Sequence, residues 1–320
     1  MILTVTLNAS IDKLLFADNF TVNSVLRAEA VMESAGGKGI NVSRAIKHLR
    51  GTSTALTLLG GGAGALIARK LEDEGIAYRF VEIEDSSRTC YALIDRVNKT
   101  ETVINESGPT VTSYEIERFC ALFKDALNKA SIVVFSGSAA RGFDSAIYNN
   151  LIVMAKQRGC LTIVDASAQL LERAIEASPH IVKINKAEFN NLIGAGVSTD
   201  DSGGDLVTNM RRLQARGVDN IVITDGGDRI TALVSDRLIK DGLIIVQPPR
   251  INDVLNTWGC GDCVTGAIAY GLDRGMSFVE VLSLAAAAGA ANTFSYGAAF
   301  FNPLDVDELL HDVKAELDAG

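Results

Sequence analysis

The segment Asn256-Thr257-Trp258-Gly259-Cys260-Gly261-Asp262 runs straight into the helix-forming Cys263-Val264-Thr265-Gly266-Ala267. Glycines before a helix start let backbone N–H groups converge on an anion, and the helix dipole favours negative charge there. An Asp inside such a turn is electrostatically odd unless it works as a base, taking the proton from a hydroxyl that attacks phosphorus. A helix N-cap is the other reading of Asp262, and residue type and spacing leave both open. A second glycine-rich segment, Ala35-Gly36-Gly37-Lys38-Gly39-Ile40-Asn41-Val42, also opens a helix, now with a cation in the loop. Lys38 has the charge to hold a phosphate and Asn41 the amide to bind a hydroxyl, whereas a flexible helix-opening turn needs neither. Gly39 follows Gly37-Lys38 where a Walker A loop has Ser or Thr, so this is not a Walker A loop.

Other spacings point to other chemistry. Cys260 and Cys263 form a Cys-x-x-Cys at a helix start, the setting that lowers a thiol pKa, and oxidation of the pair would distort the turn. The five cysteines (with Cys90, Cys120 and Cys160) are odd in number and irregularly spaced, so free thiols are expected. With His48, His180 and His311 as the histidines and no second cysteine pair, a structural zinc site lacks ligands. Gly60-Gly61-Gly62-Ala63-Gly64-Ala65 fits the loose dinucleotide pattern, with Glu82 about 20 residues on, which makes a nicotinamide-dependent oxidoreductase the runner-up enzyme class.

Strand-like runs at Leu3–Leu7, Thr54–Leu59, Ser131–Phe135, Leu161–Asp165, Ile181–Ile184 and Asn220–Thr224 alternate with helix-like segments at Ile40–Leu49, Ala65–Glu74, Ser113–Asn128, Ser145–Gln157 and Leu206–Ala215. That order predicts an α/β fold, a doubly wound and mostly parallel sheet flanked by helices. Lys13–Glu33 and Thr89–Glu106 instead alternate polar and apolar residues, which predicts antiparallel strands exposed on one face. Folded together, these two stretches (13–33 and 89–106) make a small discontinuous β lid on a main domain of residues 1–12, 34–88 and 107–320, and a lid implies exclusion of water. Helical periods at Gly261–Arg274, Phe278–Thr293 and Asp305–Leu317 predict that the sheet is complete before the last three helices.

The chain has 320 residues, 48% hydrophobic and 22% charged, with a net charge of −9 and no Lys/Arg-rich run. Nucleic acid and anionic membranes both need a concentrated basic face, so neither is an expected partner. The first residues lack a signal peptide's basic region, and the longest weakly polar stretch, Leu282–Ala291, is too short for a bilayer span; a soluble, cytoplasmic protein is expected.

Taken together, the two glycine turns resemble the Gly-Gly-Lys-Gly-x-Asn and Asp/Asn-Thr-x-Gly-x-Gly-Asp signatures of the ribokinase-like (PfkB-type) sugar kinases. The resemblance extends over essentially the whole chain. Thr6-Leu7-Asn8-Ala9-Ser10-Ile11-Asp12 is similar to the branch containing 1-phosphofructokinases, tagatose-6-phosphate kinases and minor 6-phosphofructokinases. It implies an ATP- and Mg²⁺-dependent kinase of a small-molecule phosphosugar, with Asp262 as base and the amides of Gly259, Cys260 and Gly261 as an anion hole. Asp12, Gly37, Asn41 and Ser138 would then bind the sugar, and Lys38 and Arg88 its phosphate. Arg27, in the lid, would reach a neighbouring subunit's site in a homodimer paired through the lid. Lys183-Ile184-Asn185-Lys186-Ala187-Glu188 resembles the Asn-x-x-Glu motif, which places Glu188, through water, and Asn185 near Mg²⁺. Lys183, Thr224, Gly226, Gly227 and Asn292 fall where the family binds the nucleotide, together with Gly259 and Gly261.

Several positions depart from that pattern. Ala9, Ala140 and Ile184 stand where the family has Pro, and Arg229 where its nucleotide loop has a last glycine. A kinase of an unphosphorylated sugar or nucleoside, or a regulator that binds a sugar phosphate without turnover, are the alternatives.

Overall fold

Ile2–Thr6 and Ile132–Gly137 are buried along their whole length, as strands covered by helices on both faces must be. The computed structural model describes residues 1–166, 168–194, 206–235 and 242–318. The first half runs β1 (Ile2–Thr6), β2 (Ser10–Phe16), β3 (Ala30–Gly36), α1 (Lys38–His48), β4 (Ser53–Gly60), α2 (Gly61–Asp73), β5 (Ala77–Ile83), β6 (Arg88–Asp95), β7 (Thr100–Asn105), α3 (Ser113–Ala126), β8 (Ile132–Gly137) and α4 (Ile147–Gln157). It continues with β9 (Leu161–Ala166), α5 (Ala168–Ile175), β10 (Ile181–Asn185), α6 (Lys186–Gly194), α7 (Leu206–Gln214), β11 (Asn220–Asp225), β12 (Arg229–Val234), β13 (Gly242–Gln247), α8 (Cys260–Asp273), α9 (Phe278–Ala291), α10 (Pro303–Leu309) and β14 (Lys314–Asp318).

Among the described residues the large sheet has the order β14-β13-β12-β11-β10-β9-β8-β1-β4-β5. It is parallel from β5 across to β11 and antiparallel from β11 to β14. Leu3 and Val5 on β1 and Leu7 just after it pack with Phe119, Phe123 and Leu151 from α3 and α4. Ile2 and neighbouring strand residues pack with Val42, Ile268 and Leu282 from α1, α8 and α9 on the other face. Alternate residues of one strand thus feed two separate cores, which is why these runs read as continuously apolar.

The expectation that the sheet ends before three C-terminal helices is corrected. The third helical period stops at Leu309, one 3₁₀ turn follows at Leu310–Asp312, and Lys314–Asp318 becomes the edge strand, paired with β13 from Leu243↔Asp318 to Gln247↔Lys314. All five β14 residues are exposed, and the short alternation Lys314-Ala315-Glu316-Leu317-Asp318 was absorbed into the helical period read from Asp305 to Leu317.

The second sheet has the order β3-β2-β6-β7. β2–β3 and β6–β7 are antiparallel hairpins, but β2 and β6 pair in parallel (Asp12↔Cys90), against the all-antiparallel expectation. The cause is topological: β2 and β6 each follow a strand of the parallel part of the large sheet, β1 and β5, and leave it in the same direction. The inner face of this small sheet, Leu14, Phe16, Ala92 and Ile94, packs against Trp258 and Tyr296. Phe16 and Tyr296 meet edge to face with centroids 4.9 Å apart.

Among the described residues no helix is long and apolar enough to cross a membrane.

Candidate active site

The carboxyl ends of β1, β8, β10 and β11 surround a cleft of about 950 Å³, the expected ligand position in an open α/β sheet. The small sheet supplies part of the opposite wall through Asp12, Arg88, Cys90 and Asn105.

Two turns shape the cleft. Gly37 precedes α1 with φ 108°, and Gly259 precedes α8 with φ 81°, a left-handed conformation that disfavours any side chain. A Cβ on Gly259 would also lie 2.5 Å from Ala298 Cα. Asn256 ties this turn down by donating from Nδ2 to Gly297 O at 2.9 Å and accepting from Trp258 N–H at 2.6 Å. Trp258 therefore joins the turn to the small sheet.

Asp262 enters the cleft from the first turn of α8 and is 5% exposed. Its Oδ2 accepts from Asn41 Nδ2 at 2.8 Å. Burial, opposed mainly by the Lys38 charge, pushes its carboxyl up to about 6. The N-cap position belongs to Gly259, so the capping alternative for Asp262 does not hold. Beneath lies a residue that motif reading missed. Asp165, on β9 and fully buried, pairs with Lys38 Nζ at 3.1 Å and Lys183 Nζ at 3.0 Å, and accepts from Thr265 Oγ1 at 2.9 Å. Burial would raise the Asp165 carboxyl, but the Lys183 and Lys38 ammonium groups hold it well below the usual carboxylate range. Asp165 in turn raises Lys38 further above the ordinary lysine value. The signal available in the sequence was an acid at the carboxyl end of an apolar strand.

Asp12 is buried beside Ser10, whose Oγ donates at 2.6 Å, and burial raises its carboxyl. Asn8 Nδ2 lies 3.4 Å from Ser138 Oγ. Among the described residues, four buried polar atoms of the cleft walls find no protein partner: Thr6 Oγ1, Asn8 Oδ1, Arg88 Nε and Ser136 Oγ. Such atoms are costly unless a polar ligand meets them. Arg88 also lines a smaller polar cleft of about 460 Å³ with Arg141, a second cation that no motif flagged.

Lys183, Asn185, Glu188, Thr224, Gly226 and Gly227 line the far end of the main cleft. Asn185 and Glu188 cap one another, Glu188 N–H donating to Asn185 Oδ1 at 2.8 Å and Asn185 N–H to Glu188 Oε2 at 3.4 Å. A carboxylate at the cleft wall suits Mg²⁺, which takes one or two protein carboxylates and otherwise waters and phosphate oxygens. Nothing would meet a Cβ at Gly226 or Gly227, so that end is open.

Two expected residues lie elsewhere. Arg27 is exposed in the β2–β3 connection and does not line this chain's cleft. Asn292 is fully buried behind the turn, donating to Trp258 O at 2.8 Å and lying 3.5 Å from Cys260 Sγ; it supports the turn from outside the cavity lining. Of the three amides expected in the anion hole, that of Cys260 donates to Thr257 O at 3.3 Å. Arg229 is exposed at the start of β12, outside the cleft.

The competing readings also meet the geometry. Burial pushes the Cys260 thiol up and Cys263 further still, the reverse of an activated pair, and all five cysteines are free. In the dinucleotide-like turn, Gly60 N–H donates to Ser87 Oγ, Ser87 N–H to Gly60 O, and a Cβ on Gly60 would lie 2.0 Å from Asp85 O. Residues 85–87 thus occupy the face where a pyrophosphate would have to sit.

The sequence profile of pfkB family carbohydrate kinases matches residues 5–305. The chain is 30% identical over 316 residues to a tagatose-6-phosphate kinase of Staphylococcus epidermidis, covering 98% of this chain and 99% of the relative. The structure of a Thermotoga maritima protein named "Possible 1-phosphofructokinase" superposes with TM-score 0.87 at 28% identity, covering 99% of both chains. Phosphofructokinase-2 of Escherichia coli, solved with substrates and products, gives TM-score 0.85 at 26% identity over 97% of this chain and 98% of that one.

Proposed function

Because the chain belongs to the pfkB family of carbohydrate kinases, we propose that it transfers the γ-phosphoryl group of ATP to a hydroxyl of fructose 1-phosphate, fructose 6-phosphate or tagatose 6-phosphate. The observation that carries this reading is Asp262, a buried carboxylate in the first turn of α8 whose pKa of about 6 suits a proton acceptor near neutral pH. In this reading it takes the proton of the attacking hydroxyl. The N-terminus of α8 and the ammonium groups of Lys38 and Lys183, held by Asp165, stabilise the charge that spreads over the transferred phosphoryl oxygens. Glu188, through water, and Asn185 would hold Mg²⁺, which would supply positive charge to neutralise the nucleotide phosphates. Asp12, Asn8, Ser138 and Asn41 orient the sugar, and its own phosphate is met by Arg88 with Arg141, supported by the unpartnered Arg88 Nε and the polar cleft these two cations share. The 13–33 and 89–106 stretches act as a lid over the sugar end and exclude water.

An ADP-release assay with ATP and Mg²⁺ tests the substrate class. Turnover is expected on one of the three ketohexose phosphates, with the free sugars at least about tenfold poorer in kcat/KM, the loss expected for a missing charge-assisted contact of about 1.5–3 kcal/mol. Turnover on free sugars alone would remove the roles of Arg88 and Arg141.

The outer face of the small sheet exposes Val31 and Ile104, and the β2–β3 connection exposes Val22 and Val25, with Val25 97% exposed. A second copy of this chain would cover that apolar face and bring Arg27 to the neighbouring cleft. Sedimentation is expected to show a dimer, and Ile104→Asp to shift it toward monomer; a monomeric wild type would remove the pairing.

A further inference from the structure

Arg44 follows Asn41 by three residues on α1, so both side chains leave the same face of the helix. Its guanidinium is buried with all five donors engaged. Nε donates to Glu74 Oε2 at 2.6 Å, and Nη2 to Glu74 Oε1 at 3.0 Å and Ala35 O at 2.6 Å. Nη1 donates to Ala298 O at 3.1 Å and Asn41 Oδ1 at 2.9 Å. Its central carbon lies 4.4 Å from the centroid of the Phe300 ring. A guanidinium donates and never accepts, so the Asn41 atom that meets it has to be the carbonyl oxygen. The Asn41 NH₂ is left to face Asp262, where it donates to Oδ2 at 2.8 Å.

We propose that Glu74 and Arg44 are positioning residues for phosphoryl transfer, locking the Asn41 amide in the orientation that donates to Asp262 and keeps it ionised. The proposal rests on Asp262 being the base. The groups facing Asp262 are Lys38 and Asn41 from α1, Asp165 from β9 and Lys183 from β10, with Cys260 and Cys263 on its own helix. Lys38, Asn41 and Lys183 favour the carboxylate, while burial and Asp165 oppose it. A reversed Asn41 amide would turn a lone pair toward Oδ2 and favour the protonated acid, which accepts no proton from substrate.

The test is kcat/KM against pH, which reports the free enzyme, for wild type, Asn41→Ala, Glu74→Gln and the double variant, each checked for folding by a thermal melt. Asn41→Ala is expected to move the acid limb up by about one pH unit, since a hydrogen bond to a charged group is worth about 1.5–3 kcal/mol. Glu74→Gln offers Arg44 one acceptor and one competing NH₂, so it is expected to move the limb the same way by less, with the high-pH plateau within about twofold of wild type. In the Asn41→Ala background Glu74→Gln adds no displacement, because the group it orients is gone. Arg44→Lys, which keeps the charge without the fork, is held to the same outcomes should Glu74→Gln not fold. A folded Glu74→Gln or Arg44→Lys with the wild-type acid limb overturns the relay, as does full additivity with Asn41→Ala. If Asn41→Ala also leaves the limb in place, the assignment of Asp262 as base fails with it; if Asn41→Ala moves it and Glu74→Gln does not, the relay alone fails.

Discussion

Asp262→Asn is expected to lower kcat on the order of 10²–10⁴-fold, the usual worth of a positioned general base, while binding of nucleotide and sugar phosphate changes little. The side chain keeps its shape, and removing a negative charge beside Lys38 and Lys183 does not weaken attraction for phosphate. Binding can be read from Trp258, the single tryptophan, which sits in the turn itself. The same substitution is expected to stabilise the fold at neutral pH. The Asp262 carboxyl lies near 6 in the native protein and at 3.8 in the reference state, so the native form binds the proton more tightly. Below 3.8 both forms are protonated and the residue contributes no difference; as pH rises through 6 the wild type loses stability, at most about 3 kcal/mol. A higher Tm for Asp262→Asn at pH 7.5, fading toward pH 4, is the expected signature. An active Asp262→Asn variant, or loss of binding equal to the loss of kcat, would remove Asp262 from the chemistry.

Asp165→Asn is expected to be as damaging to activity and, unlike Asp262→Asn, to destabilise. Its carboxylate is the shared counter-ion of Lys38 and Lys183, and removing one member of a buried ion pair typically costs about 3–5 kcal/mol. The lower end applies, because the Lys38 side chain is 39% exposed and keeps much of its hydration. Here the native carboxyl is depressed, so its stabilisation is fully present above the reference 3.8 and is lost as pH falls below it. Two aspartates in one cluster thus have opposite pH slopes, and this separation fits Asp262 for proton transfer and Asp165 for holding charge. Urea unfolding at pH 7 should show a lower midpoint for Asp165→Asn and a higher one for Asp262→Asn. A raised KM for ATP is expected only in the former, since only there do the two ammonium groups lose their anchor.

Much of this arrangement is legible in the order of residues alone. The apolar runs without alternation call for a parallel sheet covered on both faces, and β1, β8, β9, β10 and β11 follow that reading. Lys314–Asp318 was not legible because its strand character comes from pairing with β13 alone, with no buried side chain to mark it. Asn292 was placed against the nucleotide by the family resemblance, yet it lies behind the lining: in the 3₁₀ turn that ends α9 it is fully buried and its amide is spent on Trp258 O and Cys260 Sγ, a tertiary contact that no spacing shows.

By itself, the sequence determined the two glycine turns, the helices they open and the presence of one acid and one cation at those turns. These are local properties: a left-handed glycine and a helix dipole depend on a few neighbouring residues. Only the tertiary structure decided which groups share a charge cluster. Asp165, Lys183 and Asp262 come from different elements, and Arg44 reaches Glu74 from another helix, so their protonation and orientation depend on burial and on distances no spacing in the chain encodes.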